Sequence, residues 1–271
     1  MENPQERAIV LMSDENLAHI PSTTISLIRS SIRLIVSSED SERRDGSSFT
    51  DGNEFSPVSS AMFKNISLPL IMQINLAELS AFDDDHLLPS QGMLYVFFDM
   101  EVYLNSSPEV RSCHQILYVD AQLPMKDSGS RFIYYIEPTL PHYDHYDPSS
   151  LKRLGVAMAL SDDAMYAYWE VQKDLRNHDE NDPAIHRIFG YADPVQTAND
   201  DCDAYFANLL QKEEGVAELQ EYPPWCLLLQ VDSDPKLGTI WCDLGRIYFY
   251  ILKSDLAKRD FSRTWVDFQG S

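Results

Sequence analysis

The sequence predicts an α+β fold: a duplicated β-rich unit, mostly antiparallel sheets, and a few helices concentrated in the second half. Three observations predict it. Runs rich in Val, Ile, Leu, Phe and Tyr, bounded by Asn, Asp, Ser, Gly and Pro, recur in strand-sized lengths. One long segment after residue 160 spaces its apolar residues three and four apart, as a helix needs. Two stretches about 155 residues apart repeat the same order of strand, crossover and strand.

The first strand ends the apolar stretch Ile25 to Val36, where Ile32, Leu34 and Val36 alternate with Arg33 and Ile35. Residues 37–60 are rich in Ser, Asp, Glu and Gly and read as a flexible surface loop. Leu68 to Asn75 reads as a buried strand, Leu76 to Phe82 as a helical turn and Gly92 to Phe98 as a second strand. Cys113 to Asp120 and Arg131 to Glu137 make two more, and the four together predict an antiparallel meander with turns at 105–108 and 126–129. A short helix is expected at Ser149 to Leu154. The longest helix starts at Ser161 as N-cap, carries Asp162 and Asp163 at its positive end, and repeats Met165, Tyr168, Trp169 and Gln172 before Lys173 and Arg176. Another helix is expected near 203–212, then strands at Trp225 to Val231, Gly245 to Leu252 and Trp265 to Gln269.

The repeat aligns Leu70-Ile-Met-Gln73-Ile-Asn75 with Leu227-Leu-Leu-Gln230-Val-Asp232, and Gly92-Met-Leu-Tyr-Val-Phe97 with Gly245-Arg-Ile-Tyr-Phe-Tyr250. The chain therefore reads as one domain, 1–271, with approximate halves 1–140 and 141–271. A Gln between apolar neighbours in a buried strand is costly unless its amide is hydrogen-bonded, so Gln73 and Gln230 are expected to bond the backbone of a nearby loop. Gly92 and Gly245 open the following strands, where a tight turn or a close backbone approach favours glycine.

At these residues the sequence resembles the YwqG-like family, also known as the DUF1963 domain. The resemblance covers roughly residues 65 to 271 and is carried by Gln73-Ile-Asn-Leu-Ala-Glu-Leu79, Leu88 to Phe98, His186-Arg-Ile-Phe-Gly-Tyr191 with Asp193-Pro-Val-Gln196, Leu227 to Asp234 and Trp241-Cys-Asp-Leu-Gly-Arg-Ile-Tyr-Phe249. It marks Gln73, Gly92, Gly190, Gln196, Gln230, Asp232, Trp241, Asp243 and Gly245 as structural family positions. The resemblance departs from the family's pattern at Ala192, where the family often has Pro, and in residues 47–52, which lack its Gly-Gly-x-Pro segment. It implies a duplicated α+β fold with no agreed catalytic residues, in a cytoplasmic protein. Some family members look like immunity (antitoxin) components, which implies binding of a basic toxin.

Composition narrows the function classes. Of 271 residues, 43 are acidic and 21 basic, giving a net charge of -22, so the average surface repels phosphate backbones and anionic lipid. Neither a nucleic acid nor a membrane is expected as partner; a basic protein is. No stretch has the apolar length of a membrane helix, and Met1 to Val10 has no signal-peptide character, which points to the cytoplasm. Cys113, Cys202, Cys226 and Cys242 lack metal-site spacing and read as free thiols.

No enzyme or cofactor signature is present: there is no P-loop, dinucleotide fingerprint or nucleophile elbow. His142-Tyr-Asp144-His145-Tyr-Asp147 packs two imidazoles and two carboxylates into six residues, and reads either as a weak metal site or as an acidic, aromatic loop between prolines. Asp83-Asp84-Asp85-His86 lacks the alternating oxygen spacing of a calcium loop. Between Leu160 and Asp203, 11 acids face three basic residues. Within that segment Asp162, Asp163, Tyr166, Glu170, Asp174, Asp179, Glu180, Asp182 and Tyr191 are the candidates for gripping a basic partner. The competing reading is a solvated helix whose aromatics pack inward. Three functions follow in order: a non-enzymatic protein-binding module, a small-ligand binder or enzyme with a pocket between the halves, and a structural subunit of an oligomer.

Overall fold

Chains of apolar and aromatic residues long enough to bury on both faces set the strands. The structure, a computed structural model, describes residues 4–15, 17, 22–37, 49–50, 68–106, 112–120, 130–147, 152–157, 159–176, 184–196, 202, 205–206, 208–210, 224–237 and 239–270. The order is α1 (Pro4–Asp14), α2 (Ser22–Ile25), β1 (Arg29–Val36), β2 (Phe49–Thr50), β3 (Leu70–Asn75), α3 (Leu76–Leu79), β4 (Met93–Phe98), α4 (Met100–Asn105), β5 (His114–Val119) and β6 (Ser130–Thr139). It continues with β7 (Tyr146–Asp147), β8 (Lys152–Arg153), α5 (Leu154–Ala157), α6 (Asp162–Leu175), β9 (His186–Phe189), β10 (Trp225–Asp232), β11 (Arg246–Leu252), α7 (Lys253–Ala257) and β12 (Trp265–Gln269). The fold is α+β.

Ten strands join in the order β12-β11-β10-β9-β1-β6-β2-β3-β4-β5, and every paired neighbour is antiparallel. The two predicted copies share their pairing in detail. Gln73 stands opposite Tyr95 and Gln230 opposite Tyr248, and each first strand shifts register one to three residues before its Gln, between Leu70 and Met72 and between Leu227 and Leu229. The carbonyl of Gly92 accepts from the Leu76 N–H at 3.0 Å, and that of Gly245 from the Ser233 N–H at 3.2 Å. At the centre the chain crosses over: β1 pairs with β9 of the second half, while β6 pairs with β2 of the first.

The inner faces of β3-β4-β5 and β10-β11-β12 share one core, in which Phe98 meets Phe249 at 6.2 Å and Trp241 at 5.8 Å, both edge-on. Burying each such ring contributes about 1.5–3 kcal/mol. The two ends of the sheet also approach each other, with His114 Nε2 of β5 3.0 Å from the Thr264 hydroxyl just before β12, and the Phe268 N–H of β12 donating to Tyr103 Oη of α4 at 3.2 Å. A second cluster lies under α1 and α6, where Ala8, Met12, Tyr168, Val171 and Leu175 are buried. Ser161 Oγ accepts from the Ala164 N–H at 3.3 Å, the cap that the sequence predicts.

Several expectations are corrected. The meander stops at β5: β6 does not follow it but runs along β1 from Arg29↔Thr139 to Val36↔Phe132, a long pairing that outweighs local adjacency. The helices are divided between the halves, since α1 to α4 precede residue 140. The short helix expected at 149–154 begins at Leu154, after the β7–β8 ribbon. Within 37–60, Phe49 and Thr50 form β2; residues 38–48 and 51–60 lie outside the described residues. The described residues of 202–210 are helical. Cys113 and Cys202 are buried, Cys226 half-buried and Cys242 exposed, and no disulfide joins them. Among the described residues no helix is long and apolar enough to cross a membrane.

Candidate functional site

Strand β9 is only four residues long, yet all four are buried, because it fills the place between β1 and β10. Its Arg187 lines up with Arg33 on one side and Gln230 on the other. Two guanidiniums side by side in a sheet repel unless a carboxylate joins them, and Glu137 of β6 does so. Arg187 Nη2 is 3.1 Å from Glu137 Oε1 and Arg33 Nη1 is 3.9 Å from Oε2, with all three residues almost wholly buried. Arg33 also donates to the Ala184 carbonyl, and Arg187 Nη1 to that of Tyr191 at 2.9 Å. Burial brings the Arg187 guanidinium down to about 10, with Glu137 pulling the other way. It stays charged at neutral pH.

Asp193 is the hub of the neighbouring group. Its carboxylate sits 2.8 Å from Arg176 at the end of α6 and 2.7 Å from Arg246 of β11; Arg246 reaches Asp232 as well, at 2.9 Å. Burial pushes the Asp193 carboxyl up, but Arg176, Arg246 and Arg187 outweigh it and hold the group far below the usual carboxylate range. Burial likewise opposes charge on Arg246, and Asp193 and Asp232 more than reverse it. His186 Nδ1 accepts from the Asp232 N–H at 3.1 Å, which leaves the Nε2 proton for Asp234, 3.2 Å away.

Gln230 behaves as its apolar neighbours require: Oε1 accepts from the Asp193 N–H at 2.9 Å and Nε2 donates to the Ile185 carbonyl at 2.7 Å. Gln230→Leu leaves both backbone groups buried without a partner. It is expected to cost about 2 kcal/mol of unfolding free energy, read from urea denaturation.

The first copy lacks this charge. Asn75 and Met93 stand where the second copy pairs Asp232 with Arg246, Phe49 stands opposite Gln73 where Arg187 stands opposite Gln230, and Leu117 replaces Asp267 beside the shared Tyr. The Asp193, Arg246 and Asp232 group therefore has no counterpart in the first copy, while Arg187 joins it to Arg33 and Glu137 of the first half. Sequence reasoning missed Arg33, Glu137, Arg176, Arg187 and Arg246 as a group. The available signal was a charged residue inside an apolar strand, as in Ile32-Arg-Leu34 and His186-Arg-Ile188, because such a residue needs a buried partner.

The expected site residues fall into three places. His142 and Asp144 form a local turn, with His142 Nδ1 3.8 Å from Asp144 Oδ2 and accepting from the Asp144 N–H at 3.3 Å. His145 packs edge-on against Tyr191 at 5.5 Å, and no group of three or more metal-ligating side chains converges among the described residues. Burial lowers the His142 pKa against the upward pull of Asp144 and Asp193. On α6, Asp162, Asp163, Tyr166 and Asp174 are exposed and Glu170 half-buried, while Asp179, Glu180 and Asp182 lie outside the described residues. Tyr191 is buried beneath Arg29, whose guanidinium lies 4.7 Å from the ring centre, so it is not a surface anchor.

The family positions are distributed through the scaffold. Gln73 is buried, Trp241 packs on Phe98, and Asp243 is exposed in the turn that ends at Gly245. Gly190 adopts φ +70°, and a Cβ there would come within 2.6 Å of the Thr139 hydroxyl. The Val195 and Gln196 N–H groups both donate to Gln269 Oε1. The family model described as a domain of unknown function (DUF1963) matches residues 50–270 and so spans both copies and all of the charged cluster except Arg33. The chain belongs to the DUF1963 family. No curated protein matches it. In this DUF1963 chain the charged cluster knits α6, the 191–196 segment and β9 to β11 together.

Proposed function

We propose that this DUF1963 chain is a non-enzymatic binding module of the cytoplasm that docks a basic protein on the layer formed by α1 and α6. The observation that carries the reading is the outward display of aromatic side chains among carboxylates. Tyr166 is 64% and Trp169 37% exposed, with their rings 5.8 Å apart. A helix that merely solvates an acidic face turns such rings inward, as α6 does with Tyr168. Asp162, Asp163 and Asp174 are exposed on the same helix, Lys173 Nζ lies 5.7 Å from the Trp169 ring centre, and α1 adds exposed Glu6, Asp14 and Glu15 with Ile9 and Val10. Arg7 of α1 donates to the Asp174 carbonyl at 2.7 Å, so the two helices lie side by side. Carboxylates raise the rate of encounter with a basic surface, and the aromatics supply anchors. Neutralisation of a basic toxin by an immunity protein is the specific case that the YwqG-like resemblance implies.

The test compares the wild type with an Asp162→Lys/Asp163→Lys/Tyr166→Ala/Trp169→Ala variant against neighbouring-gene products and lysate of the native cell. The wild type is expected to retain a basic protein that rising salt releases. The variant is expected to bind that protein at least about tenfold more weakly, with little change in melting temperature. A partner held equally by both proteins, or none at any salt concentration, overturns the reading.

A further inference from the structure

We propose that the cleft crossed by residues 82–87, distinct from the α1 and α6 surface, binds a short peptide with free amino and carboxyl ends. The cleft has a volume of about 590 Å³ and lies between this loop of the first half and the strand ends of the central sheet. That size falls within the roughly 300–1,000 Å³ of sites for drug-sized ligands, which suits two or three residues better than a free amino acid.

Its walls carry opposite charge. On the loop side, Asp83 is buried and its carboxylate is used internally, accepting from the N–H groups of Leu87 at 3.2 Å and Leu88 at 2.8 Å. This fixes the loop and leaves Asp84 and Asp85 exposed along the cleft, neither in an ion pair among the described residues. On the sheet side stand Arg29 of β1 and Lys253 of α7; Arg29 rests on the Tyr191 ring and has no carboxylate partner among the described residues. Between them, Phe82, Phe189 and Leu256 supply an apolar lining. A lone anion meets Asp84 and Asp85, and a lone cation meets Arg29 and Lys253. A dipolar molecule with an apolar middle satisfies both walls, its ammonium toward the loop and its carboxylate toward the sheet.

Calorimetric titration with the tripeptide Ala-Phe-Ala tests this directly. Saturable binding is expected, weakened about tenfold or more by N-acetylation and to a similar degree by C-amidation. Asp84→Asn/Asp85→Asn is expected to weaken the free peptide but leave the acetylated one unchanged, and Arg29→Gln/Lys253→Gln to show the same pairing with the amidated one. The melting temperature of each variant confirms folding. Absence of saturable heat with the wild type, or equal binding of a doubly blocked peptide, overturns the proposal, and neither result bears on docking at α1 and α6.

Discussion

Asp193→Asn is expected to lower the unfolding free energy by about 3–5 kcal/mol at neutral pH, the range for removing one partner of a buried ion pair. The side chain is 15% exposed, so solvent screens it little, and it serves two guanidiniums at once, Arg176 at 2.8 Å and Arg246 at 2.7 Å. With the carboxylate gone, Arg246 retains Asp232. Among the described residues Arg176 then retains the Gln172 carbonyl, so the loss falls mainly where α6 joins the sheet. The pH dependence follows from the direction of the shift. A carboxyl held below its ordinary value stabilises the fold above the unfolded-state pKa of about 3.9, and that contribution disappears as the pH falls through the folded-state value. Urea denaturation of both proteins from pH 7 downward is therefore expected to show a constant gap to about pH 4, then a narrowing one as the unfolded wild-type chain takes up the proton that folded Asp193 still resists. A gap under about 1 kcal/mol at pH 7 contradicts the hub.

The strands that bury both faces were legible because their composition is extreme: β3, β4, β10 and β11 all fall where apolar runs predict them. The role of Gln230 was legible for a related reason, since a polar group between Leu229 and Val231 has few ways to be satisfied. Pairing across long separations was not. Nothing local in β6 says that it runs beside β1, and α1 fully buries only Ala8 and Met12, too few for a clear period. Charge was the least legible property. Asp193 counts among the 11 acids of residues 160–203 that suggest an acidic surface, yet it lies in an arginine cluster, whereas Tyr166 and Asp162 of the same segment face solvent. Linear counting sums over faces that only the fold separates.

Gly92→Ala is expected to cost about 3 kcal/mol or more. Gly92 adopts φ +94°, and an added Cβ would lie 2.6 Å from the Val119 carbonyl oxygen, a backbone atom held in β5 by the pairing of Met93 with Val119. The backbone term for an L side chain at positive φ is about 1–2 kcal/mol, and forcing strand ends apart adds about 1–3 kcal/mol. The equivalent glycine of the second copy separates the two terms. A Cβ on Gly245 would meet the corresponding carbonyl, that of Gln269, also at 2.6 Å, but Gly245 has no positive φ; its nearest obstacle is the Phe268 ring at 2.3 Å. Gly245→Ala is therefore expected to be the milder change, and Phe268→Leu to recover part of its loss because a side chain, unlike a backbone carbonyl, can be shortened. No change at Tyr118, the side chain nearest Gly92, is expected to rescue Gly92→Ala to the same degree. Denaturation midpoints of these variants decide the matter: equal costs at the two glycines would mean that steric approach alone, common to both copies, dictates glycine there.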